Sequence, residues 1–390
     1  MAKNINAKPF DEATLSKLSI FRECFKEWLP VFIHSKFIDK IFIYDFFAGS
    51  GKDTNGNFGS PLILLDVAKG EKCKYCSSIK EKELENKVIF LFNEKEPFLK
   101  SQKKFNELNL NVNNFIDKCS KDNFCDKGCI YKPFISNEDF KERFRESENL
   151  KNILSNKRYA KFVLLDQYGY TQIDDDIFLT LVNSPATDFI FFISSAFVKR
   201  FAKHKYTKKH FPNMEINFDE NKPKECHKLI ADYFESLIPK EKEYYLNHFT
   251  IKKGTNYYGL IFGTNHTLGM EKFQKVCWNI DPNAGESDCN LYEDFDKGTL
   301  FYGNNEPNKI QKIKEEIQSK ILSNEIANNI DGLKFVLKRR CLPKIFTDVV
   351  KQLEKNNRIR RNGAIAYKST DIHRIHKGDD NYYEIELIKG

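Results

Sequence analysis

Short apolar runs alternate with amphipathic stretches over the first 200 residues. Runs that are brief and apolar throughout are typical of strands buried on both faces of a sheet, and they occur at 41–44, 88–92, 161–165 and 188–193. Helices are predicted at 10–35, 97–108, 138–154 and 173–182, with a further helix beginning at Ser60 as N-cap and Pro61. Residues 111–132 are expected to be irregular. This alternation predicts an α/β fold with a doubly wound, Rossmann-like sheet.

The alternation stops after residue 198. Residues 199–304 are rich in aromatic side chains and mixed in charge, and we interpret them as an insertion or lid that returns to the core at a strand near 257–264. A charged connector helix is predicted at 307–326. We therefore expect a first domain over 1–305 and a second over 306–390.

The second domain combines a helix with a basic hairpin. The helix is predicted at 344–356, and strands at 358–361 and 364–368 flank Asn362-Gly363, the preferred pair for a two-residue hairpin turn. A helix followed by a hairpin of this kind is typical of a small winged-helix-like domain.

Composition is ordinary for a globular protein, with 41% hydrophobic and 30% charged residues. No apolar run approaches the length of a membrane span, so no membrane association is expected. The first ten residues lack the apolar core of a secretory signal, which favours a cytoplasmic location.

The positive charge is concentrated near the C-terminus. Residues 333–377 hold 13 lysines and arginines against three acids, whereas the whole chain carries a net charge of only +8. Such clustering indicates nucleic-acid binding. A solvated lysine-rich surface is the alternative.

Cysteines fall in two local groups. Cys73 and Cys76 form one group, and Cys119, Cys125 and Cys129 form the other. Together they have the ligand types of a tetrahedral zinc site, but the gap between the groups is longer than small zinc modules use. Free thiols are therefore favoured in a reducing compartment, and no metal site is predicted.

The strongest chemical signal follows the first strand. Asp45-Phe46-Phe47-Ala48-Gly49-Ser50-Gly51 places two glycines in a tight turn where no Cβ keeps a ligand from the backbone. The third glycine of a dinucleotide fingerprint is missing, because Thr54 occupies its position. An acid followed by Ala-Gly-Ser-Gly suits the adenosylmethionine loop of a methyltransferase. We predict that Asp45, Phe47, Ala48, Gly49, Ser50 and Gly51 bind this cofactor.

Two further acids follow later strands. Glu94 ends the second strand, where doubly wound folds place an acid on the ribose hydroxyls, and Glu96 is its rival. Asp166-Gln167-Tyr168-Gly169 follows the third strand, so that Asp166 would accept a hydrogen bond from an amino group and Tyr168 would stack on a planar base. An ordinary strand-to-helix turn is the alternative for this loop.

These motifs resemble the three-Cys-motif partner (TcmP) family, whose members are similar to class I methyltransferases. The resemblance rests on Asp45 to Gly51, Gly59-Ser60-Pro61 and Asp166 to Gly169, and it extends through 268–273 to about residue 370. It implies a methyltransferase sheet, S-adenosylmethionine as cofactor and a possible partner protein with a three-cysteine motif. Gln167 departs from the family, which has proline there, and this puts amino methylation in doubt.

We expect methyl transfer from S-adenosylmethionine to a nucleic acid, RNA or DNA. Asp166 and Tyr168 would be catalytic, Glu94 would hold the ribose, and Ser60 would bind the cofactor carboxylate at a helix N-terminus. One alternative is an inactive methyltransferase fold that binds nucleic acid or serves in defence with a partner. Another is a methyltransferase acting on proteins or small molecules that carries an accessory basic domain.

Overall fold

A computed structural model describes residues 8–71, 74–81, 84, 87–96, 102–121, 128–167, 172–194, 226–254, 256–291, 308–363 and 372–388. The chain divides into two compact units. The first comprises residues up to 244 together with 250–265, and the second comprises 245–249 and the residues from 266 onward. The domain boundary predicted between 305 and 306 lies outside the described ranges.

A seven-stranded sheet has the order β3-β2-β1-β4-β5-β7-β6. Its strands are β1 (Lys40–Asp45), β2 (Val88–Asn93), β3 (Phe134–Ser136), β4 (Tyr159–Leu165), β5 (Thr187–Ser194), β6 (Tyr245–Lys253) and β7 (Asn256–Thr264). Neighbours from β3 to β5 pair in parallel, whereas β7 is antiparallel to β5. The α/β fold, the four apolar strands and the strand near 257–264 are thus confirmed. β6 lies inside the segment interpreted as an insertion, and it is a strand of this same sheet.

The sheet order reverses beside β1. The chain passes from β1 to β2 and β3 on one side, then returns to β4 on the other side of β1. Ligands of doubly wound sheets bind outside the carboxyl ends of the strands at such a switch point. The loops after β1, β2 and β4 therefore meet at one edge.

Helices surround this sheet. They are α1 (Glu12–Ile33), α2 (Ser60–Lys69), α3 (Lys74–Glu81), α4 (Lys103–Lys121), α5 (Phe140–Glu146), α6 (Glu148–Ser155), α7 (Asp175–Asn183) and α8 (Cys226–Ser236). In α1, Asp11 caps the first turn by accepting the Thr14 N–H, and Phe21, Phe25 and Trp28 form a buried face at three- and four-residue spacing. The predicted helices over 10–35 and 173–182 are confirmed.

Ser60 is not an N-cap, so that prediction was wrong. Gly59 is the N-cap, with an extended backbone and no side-chain cap, and Ser60 is the first helical residue. A Cβ at Gly59 would lie 3.1 Å from the carbonyl oxygen of Gly51. This close approach requires glycine, because the Gly59 N–H donates to that same oxygen at 2.8 Å.

Two further predictions on this unit were wrong in detail. Residues 111–121 are not irregular, because α4 continues through them on a buried row of Leu108, Val112 and Cys119. The single helix expected at 138–154 is two helices, α5 and α6, since Ser147 has an extended backbone and its side chain caps α6 through the Leu150 N–H.

The described part of the second unit contains four helices and a small antiparallel pair of strands. They are α9 (Thr267–Ile280), α10 (Asn308–Leu322), α11 (Asn329–Lys338), α12 (Lys344–Lys355), β8 (Ile359–Asn362) and β9 (Glu384–Leu387), with a 3₁₀ turn at Ile372–Arg374. Ile317, Val336 and Phe346 are buried in its core. The helices predicted at 307–326 and 344–356 are confirmed.

The described partner of β8 is β9, because Asn362 pairs with Glu384. The second strand of the hairpin predicted at Asn362-Gly363, residues 364–368, lies outside the described residues, so the hairpin stays a prediction. Side-chain contacts between the strands stabilise the pairing of β8 with β9. Ile359 and Ile385 are buried, and Arg360 forms an ion pair with Glu386 at 2.5 Å.

Among the helices in the described ranges, none is both long and apolar enough to cross a membrane.

Candidate functional site

The glycine turn after β1 has a left-handed backbone at both glycines. Gly49 has φ 62° and Gly51 has φ 81°, values that residues with a Cβ rarely adopt. The Ala48 N–H donates to the Asn93 carbonyl at 2.9 Å, and the Asn111 side chain donates to the Ser50 carbonyl at 2.7 Å. Backbone and side-chain bonds from β2 and α4 therefore fix the turn.

Asp45 is the last residue of β1 and is fully buried. Burial raises its pKa to about 7, and the negative charges of Asp166 and Glu94 act in the same direction. The Ser60 hydroxyl and the Phe47 N–H oppose this rise. Its Oδ2 atom has no hydrogen-bond partner among the described residues. The three acids predicted from separate motifs thus lie within electrostatic reach of one another.

Glu94 lies against the glycine turn. Its Oε2 accepts the Gly49 N–H at 2.9 Å, and Lys104 Nζ is 3.6 Å from its Oε1. Burial raises the pKa of this carboxyl despite the opposing effects of Lys104 and the Gly49 N–H. The rival Glu96 instead accepts the Lys104 and Phe105 N–H groups, at 2.7 and 3.1 Å, and so caps α4. The geometry distinguishes the two acids.

Asp166 follows β4 and forms an ion pair with Lys17 of α1, at 2.5 Å between Nζ and Oδ2. The next residue, Gln167, is buried, and its Oε1 accepts the Gln172 N–H at 2.9 Å. Gln167 therefore joins the two ends of the loop at the family's proline position. Tyr168 and Gly169 lie outside the described residues.

Other predicted cofactor residues have local partners. The Phe47 ring lies 5.1 Å from the Phe140 ring, between centroids, and Ala48 is buried. Ser50 Oγ donates to the Lys52 carbonyl at 2.9 Å. These residues therefore shape the turn through their backbone and packing, and they do not present exposed polar side chains.

Sequence reasoning missed Asp53. Its carboxylate accepts the N–H groups of Phe10, Asn55 and Asn57 and the Asn57 amide, at 2.7–2.9 Å. Although burial acts to raise its pKa, these bonds hold the pKa below the ordinary value. The signal was Asp-x-Asn-x-Asn, a pattern of side chains that bond to nearby backbone N–H groups.

A small open pocket of about 240 Å³ lies near Lys17. It is lined by Ala13, Thr14, Lys17, Phe192, Ile251, Lys253 and Tyr258. The Phe192 and Tyr258 rings stack, with centroids 5.4 Å apart and planes inclined by 16°. Sequence reasoning did not find this pocket, because its residues come from α1, β5, β6 and β7.

The two cysteine groups approach each other. Cys76, Cys129 and Cys119 all lie close enough to the buried Tyr131 hydroxyl to raise its pKa further, after burial itself. Cys73 and Cys125 lie outside the described residues. Within the part of the chain that is described, no three His, Cys, Asp or Glu side chains form a group that could hold a metal ion.

The basic segment of the second unit is only partly neutralised. Arg360 pairs with Glu386, Arg361 with Glu354 and Arg339 with Glu316. Four exposed basic residues form no ion pair with any described residue: Lys338, Lys344, Lys355 and Arg358. Three of them lie on α12 or directly after it.

No family model matches this sequence, and a search of curated proteins finds no match.

Proposed function

We propose that this protein is an S-adenosylmethionine-dependent methyltransferase that acts on nucleic acid and belongs with the three-Cys-motif partner proteins that its motifs resemble. One observation carries the proposal. Asp45, Glu94 and Asp166 end or follow β1, β2 and β4, which are adjacent, and they surround a left-handed glycine turn at the switch point.

The sheet supports this choice among doubly wound proteins. Its parallel part has the order 3-2-1-4-5, as in dinucleotide-binding folds, but β7 and β6 replace the sixth parallel strand. An antiparallel strand in this position is expected of a class I methyltransferase. The missing third glycine, with Thr54 in its place, also argues against a pyrophosphate ligand.

The charge of the site suits this cofactor. Asp45 is fully buried, and its Oδ2 has no hydrogen-bond partner among the described residues. S-adenosylmethionine carries a sulfonium and an ammonium group, which would compensate the charge of this carboxylate. Its own carboxylate would bind at the N-terminus of α2, because Gly59 leaves the first N–H groups of that helix without a side-chain cap.

When bound, the cofactor supplies a methyl group on a sulfonium leaving group, so the protein's task is to orient the reactants and exclude water. Glu94 holds the ribose hydroxyls while its other oxygen braces Gly49. Asp45 and Ser60 hold the methionine part. Asp166 accepts a hydrogen bond from the methyl acceptor, and Tyr168 stacks on its ring.

The second unit would hold the nucleic acid. The order α10, α11, α12, β8, β9, with an isolated bridge from Asn328 to Glu384, agrees with a winged helix whose third helix is α12. Exposed Lys344, Lys355 and Arg358 are free to contact phosphates. Neutralising phosphates releases counterions, so this affinity falls steeply with salt.

An alternative is a nucleic-acid-binding protein that does not transfer methyl groups. Gln167 favours it, because a buried glutamine stands where the family has proline and its Nε2 has no partner among the described residues. The partner protein with a three-cysteine motif would then be its effector.

Transfer of tritiated methyl from S-adenosylmethionine into total RNA, genomic DNA and protein, with and without the partner protein, tests the proposal. Label in RNA or DNA is expected, with loss in Asp166→Ala and retention in Asp139→Ala, which removes an acid that caps α5. Binding of S-adenosylhomocysteine without any label would favour the alternative. Label in protein alone would contradict nucleic acid as substrate.

A further inference from the structure

Lys17 is the described partner of Asp166. Its Nζ lies 2.5 Å from Oδ2, and the two side chains are only 12% and 18% exposed. Oδ1 of Asp166 makes no hydrogen bond to a described residue. One oxygen is therefore fixed by a cation, the other has no bond within the described residues, and the two partners are 149 positions apart in the chain.

The lysine is itself held in place. Its ammonium lies 4.7 Å from the centroid of the Phe192 ring and 5.9 Å from that of Phe21. A cation over an aromatic face is attracted by the negative centre of the ring. Lys17 is thus restrained by two aromatic rings as well as by its carboxylate partner, as expected of a residue that orients another.

A second lysine provides an internal comparison. Lys253 Nζ lies 2.5 Å from Asp11 and 5.5 Å from the centroid of Tyr258, which stacks on Phe192. Both lysines line the same pocket, and each pairs with a carboxylate. The partner of Lys253 is the N-cap of α1, and the partner of Lys17 follows β4. Of these two lysines, Lys17 alone contacts one of the three acids Asp45, Glu94 and Asp166.

We propose that Lys17 is a positioning residue for the methyl acceptor: it fixes the orientation of the Asp166 side chain, with Oδ1 presented to an acceptor that carries an N–H donor, such as an exocyclic amino group of a base. This inference rests on the proposed function. It narrows the class of methyl acceptor, because a carboxylate oxygen accepts hydrogen bonds and therefore selects an acceptor that can donate one.

Methyl transfer to this acceptor needs no reactant besides S-adenosylmethionine and the acceptor. The acceptor nitrogen forms the bond to the methyl carbon, the carbon–sulfur bond breaks, and its electron pair remains on sulfur as S-adenosylhomocysteine is formed. The acceptor then loses its N–H proton to solvent. Asp166 orients that N–H, and Lys17 keeps the carboxylate from rotating away.

The test compares Lys17→Met, Lys17→Arg and Lys253→Met in full-length protein, with tritiated methyl transfer into total RNA and genomic DNA. Lys17→Met is expected to lower kcat about 10- to 100-fold with the KM for S-adenosylmethionine unchanged, since a misplaced group costs about this much. Lys17→Arg should restore part of the rate. Lys253→Met should stay within about twofold of wild type, since it keeps the Lys17–Asp166 ion pair intact.

Two measurements are independent of the reaction rate: calorimetry measures the affinity for S-adenosylhomocysteine, and thermal unfolding measures the stability of each variant. Lys17→Met should bind this product as wild type does, and the double variant Lys17→Met/Asp166→Asn should be no slower than Asp166→Asn alone. An unchanged kcat in Lys17→Met, an equal loss in Lys253→Met, or additive losses in the double variant would overturn the inference. If wild type itself transfers no label, the proposed function fails, and this inference with it.

Discussion

Glu94 Oε2 accepts the N–H of Gly49 at 2.9 Å, across 45 residues of chain. The acid that follows the second strand therefore closes onto the turn that follows the first. Because parallel strands β1 and β2 are neighbours, their carboxyl ends meet, and the bond follows from that adjacency. This contact joins the two motifs for which we propose a role in cofactor binding.

Replacing Glu94 should weaken cofactor binding while replacing Glu96 should not. Glu94→Ala removes the proposed ribose contact and the brace on Gly49, so affinity for S-adenosylhomocysteine is expected to fall at least about tenfold, the equivalent of one charge-assisted bond. Glu96→Ala removes only the cap of α4 and should cost about 1 kcal/mol of stability. Calorimetry and thermal unfolding of both variants separate these effects. Equal affinities would contradict a ribose role for Glu94.

Cofactor affinity should rise with pH up to about 7. The pKa of Asp45 is about 7 because the carboxyl is buried, so it is largely protonated in slightly acidic buffer. A cationic ligand favours the ionised form, and binding should release a proton. Calorimetry at pH 6.5 in buffers of different ionisation enthalpy measures this release. No dependence on the buffer would show that the ligand does not contact Asp45.

Asp45→Asn should stabilise the ligand-free protein in alkaline buffer. A raised pKa means that the folded state holds a proton more tightly than the unfolded state, whose pKa is near 3.8. The stability from this proton is complete below pH 3.8 and is lost as pH rises to about 7. Asparagine avoids that loss, and a gain of roughly 2–4 kcal/mol is expected at pH 8. Denaturant unfolding at pH 5 and 8 should show the larger gain at pH 8.

Asp53→Ala should destabilise the fold. Asp53 accepts three hydrogen bonds within the loop after Gly51 and one from Phe10, just before α1, and its loss leaves these donors without their partner. About 2–3 kcal/mol is expected from charge-assisted bonds of this kind. The lowered pKa means that this stability is present at neutral pH and lost as pH falls through the folded pKa.

Asp39→Ala is the matched control for that measurement. Asp39 forms an exposed pair with Arg158 at 2.6 Å, and solvent screening leaves such surface pairs with little effect on stability. Equal losses of stability in Asp39→Ala and Asp53→Ala, from urea unfolding at pH 7, would contradict a structural role for the Asp53 loop.

Nucleic-acid binding should depend on α12. Lys344→Ala/Lys355→Ala is expected to weaken binding to duplex DNA or RNA. The loss of about two phosphate contacts should also make the slope of log affinity against log salt concentration shallower, by about 0.9 for each contact. The control Lys26→Ala/Lys151→Ala removes two exposed lysines from the first unit and should have no effect. Fluorescence anisotropy at several salt concentrations provides the slopes. Parallel slopes for the two double variants would remove α12 from the interface.

The amino-acid sequence by itself determined the α/β class, the buried strands and the position of the glycine turn. These depend on local features: apolar runs set strands β1, β2, β4 and β5, and glycines permit a backbone that other residues avoid. Periodicity likewise gave α1 and α12, because their apolar residues recur on one face.

Tertiary structure decided which distant residues meet. Lys87 is buried just before β2, and only the tertiary structure explains this, since Nζ donates to the carbonyls of the distant residues Ile33 and Ser35 at 2.9 and 2.8 Å. The choice between Glu94 and Glu96, the Lys17 partner of Asp166 and the pairing of β8 with β9 are of the same kind. Each is a contact between segments far apart in sequence, whose geometry is set by the packing of the whole unit rather than by any local pattern.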